Sequence, residues 1–203
     1  MKVNKRALLV DIGGAKQPHD TNPKYHWEIL DVSGTHKYPS YNLNSGEPFP
    51  IDSHTVTAYY CSMTLEHVHP FKIPFVLSEM NRTLVRNGMV RIVVPDIREG
   101  IRLYLDAPEK LREKKYPYMT AGYPLTACGY LFAWIKSEMK EEKAHGRTGH
   151  QMMFDFETML YYLKIARFIG FKRRAYNECE EYFVGKDSVR YADWALYVEA
   201  KKE

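Results

Sequence analysis

Four short apolar runs and two amphipathic stretches set the frame of this chain. Residues 7–12 (ALLVDI) are branched and apolar and stop at Gly13-Gly14, the pattern of a strand buried on both faces. Residues 27–32 (WEILDV) form a second run ending near an acid, and residues 55–63 (TVTAYYCSM) a third, rich in β-branched and aromatic side chains. The fourth, residues 89–95 (MVRIVVP), is opened by Asn87-Gly88 and closed by a proline. Between the last two, Val76, Leu77, Met80, Leu84 and Val85 recur at helical spacing. They predict a helix over residues 74–86 with Pro74 in its first turn. A second helix is predicted over residues 155–169, capped by Asp155 and stopped by Gly170. Residues 172–176 and 195–200 follow as two final strands joined by a long connection. Strands alternating with helices, then a terminal strand pair, give an α/β sheet with an antiparallel edge.

Residues 97–150 fit this alternation least. They hold Tyr104, Tyr116, Tyr118, Tyr123 and Tyr130, prolines at 108, 117 and 124, and a helix-like stretch over residues 131–142. They read as an inserted cap over the open end of the sheet, inside a single domain spanning residues 1–203. Ordinary helical packing would leave the same pattern.

Composition narrows the class. A chain of 203 residues with 45% hydrophobic and 27% charged positions can build one full core without staples. The net charge of +4 is spread out, and the clusters Lys172-Arg173-Arg174 and Lys114-Lys115 lack interleaved aromatics, so no specific nucleic-acid binding is expected. Cys61, Cys128 and Cys179 are far apart and without CxxC spacing, which fits reduced thiols rather than disulfides or a zinc site. No apolar run approaches the roughly 20 residues of a membrane span. The basic start at residues 1–6 is not followed by a signal-peptide core, so a cytoplasmic protein is expected.

In an open parallel sheet, ligands bind beyond the carboxyl ends of the strands. Here those ends carry Asp11 with Gly13-Gly14, Asp31, Ser62 with Glu66-His67, and Asp96. A glycine pair lets the backbone approach a ligand, and an acid about 20 residues later can accept ribose hydroxyls. The same glycines serve equally for a plain turn, and Asp31 for a strand-end turn. The third glycine of G-x-G-x-x-G is missing, which weighs against a nicotinamide oxidoreductase.

The runs LVDIGG (9–14) and ILDV (29–32) resemble the glycine-rich first motif and acid-ended second strand of class I S-adenosylmethionine-dependent methyltransferases. EPFPIDS (47–53) followed by YYCSMTLEHV (59–68) resembles the LPFPDNSFD…LEH signature of a subgroup of small bacterial enzymes. LVRNG (84–88) leading into RIVVPD (91–96) is similar to its RVLKPGG…RIVVPD. HQMMFD (150–155) and LYVEA (196–200) look like its late motifs. The resemblance implies a Rossmann-like, seven-stranded, mostly parallel sheet with an antiparallel terminal strand and helices on both faces. The first glycine loop and its helix would be shortened, with Lys16-Gln17-Pro18 where further glycines are usual. It further implies S-adenosylmethionine as cofactor, with Asp11, Gly13 and Gly14 at the methionine end and Asp31 on the ribose. Asn42 and Leu43 would flank the adenine, and Ser62 would sit by the sulfonium.

The function implied is in-line methyl transfer to a small-molecule or sugar-type acceptor; the alternative is a catalytically degenerate protein of this fold acting as a binding or assembly partner. If the acceptor is a hydroxyl, a base must take its proton, and His67 and His150 are the candidates. Packing for His67, and capping or packing for His150, are the plainer roles. Glu66-His67 with His69 hints at a metal, but one turn of mixed ligands is thin, and no metal is expected. Arg98 and Arg102 would suit an acceptor bearing phosphate or carboxylate.

Overall fold

The computed structural model describes residues 6–14, 22–35, 37–113, 125–136 and 149–203. Six strands are found among them: β1 (Ala7–Ile12), β2 (Tyr25–Leu30), β3 (Val56–Ser62), β4 (Leu84–Pro95), β5 (Phe168–Arg174) and β6 (Ala195–Lys202). Five helices accompany them: α1 (Ile73–Thr83), α2 (Ile97–Asp106), α3 (Pro108–Glu113), α4 (Ala127–Lys136) and α5 (Phe156–Ile165). The sheet order is β2-β1-β3-β4-β6-β5. The first four strands are parallel, and β6 runs antiparallel to both neighbours.

Where seven strands were implied, the described residues form six. The chain between β2 and β3 is spent on turns instead. Asp31 Oδ1 accepts from Ser33 N (2.8 Å), Gly34 N donates to the Asp31 carbonyl (3.1 Å), and Asn42 Oδ1 accepts from Asn44 N (2.9 Å). Side chains that bond their own backbone compete with a ladder, and Pro39, Pro48 and Pro50 reinforce that. Residues 13–24 are all the chain that links parallel β1 to β2, the lower end of what such a crossover takes. Lys16-Gln17-Pro18 lie outside the described residues.

Two boundaries differ for a physical reason. The last helix stops at Ile165, not near Gly170, because Arg167 takes the left-handed conformation (φ 62°). Gly170 (φ 63°) instead lies inside β5, where the register with β6 shifts. The first helix ends at Thr83, whose hydroxyl donates to the Glu79 carbonyl (2.7 Å), and Leu84 already pairs with Val56.

Period-2 alternation sends β-strand side chains to two different covers. One face, with Val10, Ile12, Tyr59, Cys61, Val90 and Ile92, packs against Val76, Leu77 and Met80 of α1 and Met159 and Leu163 of α5. The other, with Leu9, Trp27, Ala58, Tyr60, Val93 and Tyr197, is covered by Phe183 from the β5–β6 connection. Arg91 lies fully buried on that second face. Its five N–H donors reach Asp187, Glu199 and the carbonyls of Ala175 and Glu178, and Arg174 Nε donates to the second Glu199 oxygen (2.9 Å).

The described part of the inserted segment is helical. Gly100 of α2 lets Trp134 of α4 approach, since a Cβ there would sit 2.2 Å from the indole ring. Trp134 in turn meets Trp194 edge-on, with ring centroids 6.2 Å apart. The expected helix over 131–142 is α4, begun earlier; Tyr116, Tyr118, Tyr123 and residues 137–148 lie outside the described residues.

Candidate active site

Because β1 to β4 are parallel, Ile12, Leu30, Ser62 and Pro95 end at one edge of the sheet. Asp11, one residue before the end of β1, lies between Ile29 and Tyr60 in the register. Burial raises its carboxyl to about 7; the Lys186 ammonium opposes the rise and Asp31 adds to it. Lys186 comes from the β5–β6 connection and stands 3.7 Å over the Trp27 ring. Nothing in the sequence linked Lys186 to the first strand, which lies far from it along the chain.

The glycine pair does two jobs. Gly13 has φ 78°, and a Cβ on it would lie 2.1 Å from Thr64 Oγ1. A Cβ on Gly14 would lie 2.7 Å from the Asp11 carboxyl carbon. Thr64 Oγ1 donates to the carbonyls of Ile12 (3.2 Å) and Ser62 (3.0 Å), so it ties the ends of β1 and β3 together. Ser62 is half-buried there, opposite Val93.

Asp31 holds one oxygen in its turn, accepting from Ser33 N and Ser33 Oγ (2.6 Å). No hydrogen bond engages Oδ2 among the described residues, and it remains available to a hydroxyl. Asn42 is exposed, with its Oδ1 already committed to Asn44 N. Leu43 is half-buried against the α1-side core. Asn44, which the sequence did not single out, fastens this loop to the turn after β3: Oδ1 accepts from His69 N (2.7 Å), and Nδ2 donates to the His67 carbonyl (3.3 Å).

That turn is the 3-10 segment Leu65–His67. It brings together residues that the sequence offered separately. The His67 and His150 rings meet edge-on with centroids 4.9 Å apart, and Glu66 Oε1 lies 4.0 Å from His67 Nε2. Backbone bonds clamp the two segments: the Glu66 carbonyl accepts from Gln151 N (2.8 Å) and Met152 N (3.2 Å), and His150 N donates to the Lys136 carbonyl (2.9 Å). His150 does not cap α5; Asp155 does, accepting from Thr158 N (2.8 Å). His69 turns away and packs on Phe71 instead, with centroids 5.4 Å apart.

Glu66 is 1% exposed, and neither carboxyl oxygen has a hydrogen-bond partner among the described residues. Burial raises its carboxyl to about 8, against the pull of the nearby backbone N–H groups of Glu66 and Thr64. Burial also lowers His150 to about 4, with help from the charge of His67, so the ring is neutral at pH 7. Cys61 lies between the two ends of the site: burial raises its thiol, and Glu66 and Asp11 both push it further. Asp96, by contrast, is occupied as a structural group. Oδ1 caps α2 through Arg98 N (3.0 Å) and Oδ2 accepts from Arg173 (3.0 Å).

No family model and no curated protein matches the sequence. Solved structures do resemble it in shape. Phosphoethanolamine N-methyltransferase 2 of Haemonchus contortus, in complex with S-adenosyl-L-methionine, aligns over 97% of this chain with a TM-score of 0.53 and 12% identity. The CurJ carbon methyltransferase aligns over 99% (TM-score 0.52, 9% identity), and a SAM-dependent methyltransferase of Archaeoglobus fulgidus over 98% (TM-score 0.52, 13% identity). The chain spans 49% and 50% of the first two proteins and 87% of the third. At these identities the likeness is one of architecture: the chain has the α/β fold of S-adenosylmethionine-dependent methyltransferases.

Proposed function

We propose that this protein binds S-adenosylmethionine and transfers its methyl group to a small-molecule or sugar-type acceptor. The observation that carries this reading is the meeting of Asp11, Gly13-Gly14, Asp31 and Ser62 at one edge of a sheet whose likeness includes a cofactor-bound methyltransferase. In this reading Asp31 Oδ2 accepts the ribose hydroxyls and Leu43 packs on the adenine. Asn42 faces the adenine edge with its amide N–H₂, its oxygen being committed to the turn. Asp11 and the glycine backbone border the methionine end, with Ser62 by the sulfonium.

An acceptor lone pair attacks the methyl carbon, the C–S bond breaks, and its electron pair stays on sulfur, leaving a neutral thioether. The carbon is already activated, so the protein mainly aligns the two partners and excludes water. The acceptor's proton leaves toward the end of the site that holds Glu66, His67 and His150. In this reading α2 and α4 cover the acceptor end: α2 departs directly from the carboxyl end of β4, and the last residue of α4 holds His150 N. Arg98 and Arg102 project from α2, the latter already paired with Glu99 (2.9 Å). They would read an anionic acceptor.

Calorimetry with S-adenosylhomocysteine and S-adenosylmethionine tests the reading. The expected result is one site, weakened at least tenfold in Asp31→Ala. Folded protein that gives no heat with either compound overturns it.

A further inference from the structure

The cluster of Glu66, His67 and His150 holds more ligating chemistry than a proton relay needs. One donor atom from each residue lies within 4.8 Å of the other two. The Glu66 carboxyl group is enclosed, and among the described residues neither its oxygens nor the buried His150 Nδ1 has a hydrogen-bond partner. The buried charges around Arg91, by contrast, are all hydrogen-bonded. A buried anion is tolerated when paired or bound to a metal, and otherwise takes up a proton. The backbone here is also fixed from two sides, by the bonds from Gln151 and Met152 to the Glu66 carbonyl and from Asn44 to the His67 carbonyl.

We propose that Glu66, His67 and His150 together bind one divalent transition-metal ion, through a carboxylate oxygen and two imidazole nitrogens. Mixed oxygen and imidazole donors suit zinc, cobalt, iron and manganese rather than calcium, which takes oxygen only. Neutral imidazole is the ligating form. Bonds of about 2.0–2.2 Å require donor atoms within roughly 4.4 Å of one another, so small side-chain torsions close the present spacing. Three protein ligands leave coordination positions open, as in catalytic rather than structural sites. Under the methyl-transfer reading above, an open position would take an acceptor oxygen and ease the loss of its proton. The binding of the ion does not rest on that reading.

The test uses the full chain stripped with EDTA and titrated with Co²⁺, followed by visible absorption, and with Zn²⁺ by calorimetry. One equivalent is expected to bind, with Mg²⁺ at the same concentration giving no heat. Glu66→Gln and His150→Ala are each expected to weaken Co²⁺ at least about 10- to 100-fold, the loss typical even of groups that only support a ligand. His69→Ala, outside the cluster, is expected to bind as the parent does. Should either buried variant fail to fold by circular dichroism, His67→Ala reads the same loss at a ring that is 30% exposed. Absence of stoichiometric binding in the parent, or equal affinity in parent and folded cluster variants, overturns the proposal. Protein that binds S-adenosylhomocysteine but not Co²⁺ removes the metal and leaves methyl transfer standing; the converse does the opposite.

Discussion

Two clusters of buried titratable groups differ in how the fold satisfies them. Around Arg91 every donor has an acceptor. The guanidinium pairs with Asp187 and Glu199, Asn177 N donates to the second Asp187 oxygen (2.9 Å), and Arg174 completes Glu199. Two cations face two anions. Around Glu66 no donor reaches the carboxyl oxygens among the described residues, and the neighbouring imidazole is held neutral. Both clusters cost desolvation, but only the first recovers it within the fold. The contrast separates a group kept for architecture from a group kept for a ligand.

The largest effect is expected for Arg91→Met. It leaves Asp187 and Glu199 buried without their main partner, and a loss of about 3–5 kcal/mol is expected in urea unfolding. A loss under about 1 kcal/mol would show that water reaches the cluster and that its closure is not structural. Glu66→Met should act in the opposite direction. Measured in EDTA at pH 8, it is expected to raise stability by about 1–3 kcal/mol, because it removes an unsatisfied buried group. A loss of similar size would identify Glu66 as part of the scaffold.

The pH dependence sharpens the same point. The folded Glu66 pKa of about 8 lies above its ordinary 4.5, so the folded state keeps a proton that the unfolded state releases. Its contribution is fully present below about 4.5 and is lost as pH rises through 8. Asp11, raised from 3.8 to about 7, has the same sign. His150, lowered from 6.5 to about 4, has the opposite one: its contribution is present above 6.5 and lost as pH falls toward 4. Above pH 6.5 only the two acids remain in play. The metal-free chain should therefore lose thermal stability from pH 6.5 to 8, and Glu66→Met should flatten the upper part of that slope. The smallest effect is expected at the edge of the satisfied cluster. Tyr60→Phe removes a hydroxyl shared between Asp187 and the Lys186 carbonyl, and should cost about 0.5–1.5 kcal/mol by denaturant melt.

The sequence made the strand cores legible because branched apolar runs have few other uses. Residues 7–12, 56–62 and 89–95 are strands as their patterns predict. Asp155 was legible as a cap for the same reason, a short polar side chain before an apolar period. Gly170 misled because glycine is the usual left-handed residue, whereas Arg167 took that role. Arg91 gave no signal at all: a lone cation in a strand looks solvent-facing until Asp187 and Glu199 arrive from the far end of the sequence. At the site, His67 and His150 were each legible as candidates. Their meeting, and the enclosure of Glu66 beside them, depends on how residues 149–152 dock on the turn after β3, which no local pattern encodes.

The position of β6 bears on how the chain is made. It follows the other described strands along the chain, yet it sits between β4 and β5 rather than at a rim. While residues 187–199 are still unmade, β4 presents a bare hydrogen-bonding edge, and Arg91 has neither of its carboxylate partners. A nascent chain at that stage holds an open apolar ladder beside an uncompensated cation, a state prone to pairing with other chains. Docking of β6 closes the open ladder of β4 and brings Glu199 to Arg91 in the same step.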